Sequence, residues 1–407
     1  MIPYLIFFLT SILFCYEGEL LYRNSISFVE NNAAGKSLRK IKKHGLISIP
    51  RFKRIRIQIS YVYFAISVLI VSALAGMRGY SIGTDIQVYG NSLFAYARTV
   101  TLVDFIRKLP NIEPLYLALV DFSALFSSEA HILYFFTGLV IYSFIMCGIV
   151  AHGKTIPITL SWVGFLLLLY GDTYNAMRQC LGIAIAFWGF HFFKNKQYLR
   201  LILSLAVAYF FHNSSIIMIA IIGIYYILQL NNRMWIKVLM IIGTIGVVYY
   251  FNDLLSTFVN IGILNSKMMR YQIEENSGIS VPAILIRLPF LFAILLQRNR
   301  FANNYNRSWR LLPLKNMAEA DFYIILLLLE IFTVELSAFV ASLYRISLYF
   351  VPFRFLSYAR IVSVQSKKNR TVYLIVLIIY LAIIFIYQNV IKGNNEIYPY
   401  VFWFMTN

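Results

Sequence analysis

The chain has 407 residues, 60% of them hydrophobic, 17% aromatic and only 13% charged, where a soluble domain carries roughly 25%. With a mean hydropathy of +0.71, this excludes a soluble globular protein; apolar runs of about 15 to 20 residues point to membrane helices rather than a barrel. The net charge of +19 does not signal nucleic acid, because Lys and Arg lie in the segments between apolar runs.

The first run resembles a secretory h-region but has no basic n-region or small-residue cleavage site, so a retained helix over 3–21 is expected. The basic segment 23–56 follows, with Lys36, Arg39, Lys40, Lys42, Lys43, Arg51, Lys53, Arg54 and Arg56, and is placed inside. A helix over 57–75 returns to an outer loop, 76–112. Segment 113–127 starts Glu113-Pro114 and has Asp121 near its middle; it is expected to be re-entrant or surface-lying, because crossing would turn Lys194–Arg200 outward. Spans are expected near 131–150, 158–171, 179–193, 199–212, 214–230 and 235–251. After a second outer loop, 252–280, further spans are expected near 281–297, 321–340, 345–362 and 371–389, followed by an outward tail from Tyr398. The basic clusters at Lys194–Arg200, Arg298–Lys315 and Lys367–Arg370 then all face inside. The expected fold is all-α and polytopic, one integral membrane domain over 1–407 with about twelve spans, both ends outside and no internal repeat.

Four arginines break the charge rule: Arg78, Arg178, Arg270 and Arg345 fall at the outer ends of apolar stretches. A guanidinium there calls for an anionic partner such as phosphate. Arg78 opens the motif Arg78-Gly79-Tyr80-Ser81-Ile82-Gly83-Thr84-Asp85, followed by Tyr89; Asp85 offers a carboxylate for a sugar hydroxyl or a proton, or else caps a tight turn. Arg178 and Gln179 fall in the first turn of a helix, where free N–H groups favour an anion; Asp172 is an alternative partner for Arg178. His212, between Phe211 and Asn213-Ser214-Ser215, interrupts an apolar run and suits a general base or a structural turn. Arg345, Ser347 and Tyr349 bring polar groups to one end of a helix, where Glu335 is an alternative partner for the arginine; Glu113 is a further candidate.

Other chemistries lack their motifs. There is no phosphate-cradling GxxxxGK[ST], no HExxH, no GxSxG and no acidic DxD pair. Cys15, Cys147 and Cys180 form no CxxC, so neither a disulfide framework nor a thiolate metal site is expected, and no metal or cofactor is predicted.

Five motifs in order, Arg-Gly-x-x-x-Gly-Thr-Asp-x-x-x-Tyr at 78–89, Glu113-Pro114-Leu115, Asn175-x-x-Arg178-Gln179, Phe211-His212-x-Ser214 and Arg345-x-Ser347-x-Tyr349-Phe350, resemble the EpsG family across about 60–390. That family belongs among the Wzy-like polymerases of bacterial O-antigen, capsule and exopolysaccharide. The resemblance implies a fold GT-C-like in broad character and a glycosyltransferase that joins undecaprenyl-diphosphate-linked oligosaccharides at the outer face of the cytoplasmic membrane. It needs no nucleotide sugar or ATP. Partners would be those lipid-linked substrates, membrane lipids, and a flippase and chain-length regulator of the same pathway. Arg78, Arg178 and Arg345 would bind diphosphate, with Arg270, Gln179, Tyr89 and Glu113 behind them, and Asp85 or His212 would be the base. A lipid-linked oligosaccharide flippase, an O-antigen ligase and a sugar acyltransferase are the rivals; the outward clustering of polar groups and the absence of evident inverted repeats disfavour the transporter.

Overall fold

A bilayer offers the backbone no hydrogen-bonding partners, so apolar segments close their N–H and C=O groups internally as helices. The computed structural model describes residues 1–35, 51–83, 85–230, 281–303, 318–337 and 342–405, with eight isolated positions between 235 and 261. Among them nearly everything is helical, and the one extended pairing is an isolated antiparallel bridge between Arg78 and Phe402. Helices α1 (Ile2–Gly35) and α2 (Arg51–Gly76) form an antiparallel pair. Short helices α3 (Ser92–Ala97), α4 (Leu102–Lys108) and α5 (Pro114–Ala124) lead to α6 (His131–His152), α7 (Ile158–Leu168) and α8 (Asp172–Asn175). Next come α9 (Met177–Lys194), α10 (Tyr198–Phe211) and α11 (Ile217–Leu230). The chain then continues through α12 (Val281–Leu285), α13 (Leu288–Asn303), α14 (Ala318–Leu336), α15 (Ser342–Ser347), α16 (Val351–Ser363) and α17 (Lys367–Ile386).

Among the described residues six stretches are long and apolar enough to cross a membrane: Ile2–Ser25, Ile55–Gly76, His131–His152, Asn213–Leu230, Val281–Phe301 and Lys367–Ile391. They coincide with six of the twelve expected spans. Of the others, 235–251 lies almost wholly outside the described residues, as does most of loop 252–280 with Arg270. Helix α5 has 11 residues, about 16 Å at 1.5 Å per residue, too short to cross, as expected for 113–127. Helix α7 is equally short and buried along most of its length, with Trp162, Phe165 and Leu166 fully enclosed, so it is a core helix, not a lipid-facing one.

The expected span 345–362 is broken. Helix α15 stops at Ser347, a tight turn covers Leu348–Phe350, and α16 begins at Val351 with Pro352 in its first turn. Proline brings no N–H and its fixed φ suits a helix start, which restarts the helix here. Helix α16 is then buried with Arg354 and Arg360 inside the protein. Their partners lie on α14. Glu330 Oε1 pairs with Arg287 Nε at 2.9 Å and with Arg354 Nη1 at 2.7 Å; Glu319 lies 3.6 Å from Arg360, and Asp321 takes a two-pronged contact from Arg298. Burying these charges is tolerable only because they compensate each other.

Contacts along the α1–α2 pair fix the two ends of the bundle. Ser11 Oγ donates to the Ser67 carbonyl at 2.8 Å and takes a bond from Trp162 Nε1 at 2.9 Å, and further along the Tyr22 and Tyr61 rings meet. At one end Tyr4 reaches the Ile397 carbonyl at 2.9 Å and α2 runs into Arg78. At the other, Arg23 and Arg360 each donate to the 155–156 turn at 3.0 Å, and Arg300 holds Gln365 at 2.9 Å. The turns that the charge balance assigns to the inside therefore gather at the end away from Arg78.

Glu330→Ala leaves Arg287 and Arg354 facing each other without a countercharge. It should destabilise the purified protein by about 3 to 5 kcal/mol, read as a lower Tm in detergent. A loss below about 1 kcal/mol would mean that the two arginines find other partners.

Candidate active site

The site forms where helices end. After α2, residues Met77–Gly79 are held by the C-terminal tail: Gly79 N–H donates to the Val401 carbonyl at 2.8 Å, and Trp403 N–H to that of Met77 at 3.1 Å. Gly83 has φ +96°, and a Cβ there would come within 2.9 Å of Asn175 Oδ1 and of the Tyr174 carbonyl oxygen, so only glycine fits this turn. The turn delivers Asp85, whose carboxylate accepts the N–H of Met177 and so caps α9 from a separate loop. A π-helical stretch, Ile86–Asn91, follows and carries Tyr89.

Glu113 is the hub. It precedes Pro114, the first residue of α5, and its two carboxylate oxygens serve different partners. Oε2 takes Arg178 Nη1 at 2.5 Å, and Oε1 takes His212 Nδ1 at 2.7 Å, with the Asn213 N–H also directed at it at 3.4 Å. Arg178 lies over the Tyr89 ring, 3.9 Å from its centroid, and its Nε and Nη2 have no hydrogen-bond partner among the described residues. Burial pushes the Glu113 carboxyl up, but the bond from His212 and the charge of Arg178 outweigh it and bring it to about 2. An ionised carboxylate accepts only, so His212 Nδ1 carries the hydrogen of this bond, and in the neutral ring Nε2 is the acceptor.

Two further motifs meet here. His212 has extended backbone between α10 and a short 3₁₀ turn, Asn213–Ile216; Ser215 Oγ in that turn donates to the Ala208 carbonyl and packs against Gly182, where a side chain would collide with it. The Tyr349 hydroxyl is 2.9 Å from Ser214 Oγ and 3.3 Å from Ser215 Oγ. Gln179, 3% exposed, donates from Nε2 to the Arg345 carbonyl at 2.5 Å, so it fixes the Arg345 backbone and is itself shut away from the surface. The Arg345 side chain is exposed.

The arginines thus take different places. Burial raises the Asp85 carboxyl, and it is drawn back by the charges of Arg345 and Arg178, by the Met177 N–H and by Arg78, so three of the four expected arginines act on one carboxylate. Arg78, however, is 2% exposed and enclosed by aromatic rings, 4.1 Å from the Tyr174 centroid and 4.5 Å from that of Tyr134, with Nη2 against Met177 Sδ. It underlies the site and does not open to it. Arg270 lies outside the described residues.

The alternative partners read from the sequence are not those adopted. Asp172 accepts from the Tyr344 hydroxyl at 2.7 Å and from Asn395 at 3.3 Å, leaving Arg178 to Glu113. Among the described residues Arg345 forms no ion pair with Glu335. Tyr344, Asn395 and the tail strands of contact at 397–403 were not singled out in the sequence; their one visible signal is an aromatic-rich end, Tyr398 to Phe404. Among the described residues no group of three or more His, Cys, Asp or Glu side chains is arranged to hold a metal ion.

Because Glu113 titrates lower when folded than its ordinary value of 4.5, its stabilisation is complete above roughly pH 5 and is lost as pH falls through 4.5 towards about 2. The Tm gap between wild type and Glu113→Gln should therefore shrink as pH falls from about 5 towards about 2. A gap as large at about pH 3 as at about pH 5 would contradict this pairing.

A model of the EpsG family matches residues 61–402, a span that includes the Arg78 loop, Glu113, Arg178, His212, Arg345 and the tail contact at Val401. No curated protein and no solved structure shows significant similarity to the chain. The chain belongs to the EpsG family, the family of Wzy-like polysaccharide polymerases.

Proposed function

We propose that the protein is a glycosyltransferase that polymerises oligosaccharide repeat units carried on undecaprenyl diphosphate. It works at the outer face of the cytoplasmic membrane and uses neither nucleotide sugar nor metal. The observation that carries this reading is the Glu113 carboxylate, which holds a guanidinium at 2.5 Å on one oxygen and an imidazole at 2.7 Å on the other. A cation for a leaving phosphate and a base for an incoming hydroxyl are thereby fixed side by side.

In this mechanism the acceptor hydroxyl attacks the anomeric carbon of the donor glycan. The bond from that carbon to the diphosphate oxygen breaks as the new glycosidic bond forms. His212 Nε2 takes the hydroxyl proton, and Glu113 orients the ring and stabilises the imidazolium. Undecaprenyl diphosphate leaves with growing negative charge, met by Arg178 through its remaining N–H groups and by the exposed Arg345. Arg78 adds a fixed positive charge from below, and Asp85 keeps the N-terminus of α9, and with it Arg178, in place. Gln179 and Tyr89 are positioning residues, one on the Arg345 backbone and one under the Arg178 guanidinium.

The test is purified protein with undecaprenyl-diphosphate-linked repeat units and nothing else added. A ladder of products with release of undecaprenyl diphosphate is expected; no ladder from folded protein given the correct repeat unit would turn the assignment to a flippase, read as substrate movement across liposomes. Arg178→Lys keeps the charge but not the planar fork over Tyr89. It should cut the rate by about 100-fold while the protein inserts normally. His212→Ala should cost about 100-fold or more, as expected for a general base. Near-normal polymer from either variant would remove that residue from the chemistry.

A further inference from the structure

A second recess lies beside the arginine cluster, an open cleft of about 610 Å³ between the end of the π-helical stretch and the turn into α6. Tyr80, Asn91, Phe94, Arg98, Thr99 and Glu129 line it. Rigid aromatic surface here stands next to planar hydrogen-bonding groups. The Tyr80 ring stacks on His131 with centroids 4.3 Å apart, and His131 stacks in turn on Trp403 at 4.4 Å. The Tyr80 hydroxyl donates to Glu129 Oε2 at 2.7 Å, and Arg98 Nη1 to the Ser128 carbonyl at 3.2 Å. Asn91 Oδ1 accepts from the Tyr134 hydroxyl. These bonds fix the side chains yet leave Asn91 Nδ2, Glu129 Oε1 and the remaining N–H groups of Arg98 without a partner among the described residues.

We propose that this cleft binds sugar rings of the oligosaccharide being polymerised, an inference that depends on the polymerase reading. A pyranose presents apolar C–H groups on its faces and hydroxyls around its rim, and it is recognised by an aromatic ring together with planar amide, carboxylate and guanidinium groups. The volume falls within the range of small-ligand pockets. One carboxylate and one guanidinium line the cleft, so it has no net charge and suits hydroxyls rather than phosphate, in contrast to the neighbouring arginines. Two side chains join the two places. Tyr134 gives its hydroxyl to Asn91 and its ring to Arg78, and Asn91 follows by two residues Tyr89, the ring beneath Arg178. The cleft is thus joined through Asn91 and Tyr134 to the residues packed around Arg78 and Arg178.

The probe is the oligosaccharide released by mild acid from the lipid-linked repeat unit of the same cell, added to the full-length protein in detergent. Saturation-transfer NMR should show sugar protons in contact with wild type and with Arg178→Lys, and loss of that contact in Glu129→Ala and Asn91→Ala. In the polymerisation assay the same two variants should raise KM about tenfold with kcat preserved, as for lost hydrogen bonds to a bound hydroxyl. Tyr80→Phe keeps the stack on His131 and frees Glu129, so a raised KM in that well-folded variant also supports the cleft. An unchanged KM and unchanged saturation transfer in all three variants would overturn the sugar site while leaving the polymerase standing. Sugar contact in a wild type that forms no ladder would overturn the polymerase alone, and no contact in an active wild type would overturn the cleft.

Discussion

One carboxylate ties this end of the molecule together. Glu113 is largely enclosed, and taking its charge out of water is costly unless both oxygens find charged or polar donors. Arg178 comes from the first turn of α9 and His212 from the break between α10 and the 3₁₀ turn, while Glu113 itself sits at the start of α5. Three helix ends that are far apart in the chain are thus held at one point. The remaining contacts, Asp85 on Met177, Gln179 on Arg345 and Tyr349 on Ser214, fasten further ends to the same place.

That Glu113, Arg178 and His212 stand at helix ends follows from the surroundings. Within hydrocarbon a chain has to stay helical, and irregular backbone is tolerated only against protein or water. Chemistry needs side chains aimed from several directions at one spot, which regular helices spaced about a helix diameter apart do not supply. The broken segment at Leu348–Phe350, the π-helical stretch at Ile86–Asn91 and the short α5 are the places where the fold gives up regularity, and they surround the site.

The arginines show how one residue type does different work in different settings. Arg345 is exposed, Arg178 rests on an aromatic ring with one edge paired, and Arg78 is enclosed by two tyrosines. Deeper, Arg287 and Arg354 share Glu330 and hold α14 and α16 against each other. The first three act on the Asp85 carboxylate at the end of the bundle, and the last two serve the packing of a helix that the hydropathy pattern alone describes as an ordinary span.

Much was readable from the chain itself. Composition and run length determine a helical membrane protein, and the positions of Lys and Arg sort its turns into two groups, because charge is too costly inside hydrocarbon to be placed freely. Local motifs also marked Arg78, Asp85, Glu113, Arg178, His212 and Arg345, since a polar residue at an apolar boundary stands out. Which of them meet was decided only by the tertiary structure. Nothing local distinguishes Glu113 from Asp172 as the partner of Arg178, or shows that Arg78 is roofed by Tyr134 and Tyr174, because those choices are made by contacts across 65 and 56 residues or more of chain. Hydropathy counts apolar length; it carries no record of which buried charge finds which countercharge, and that pairing is what the packed bundle supplies.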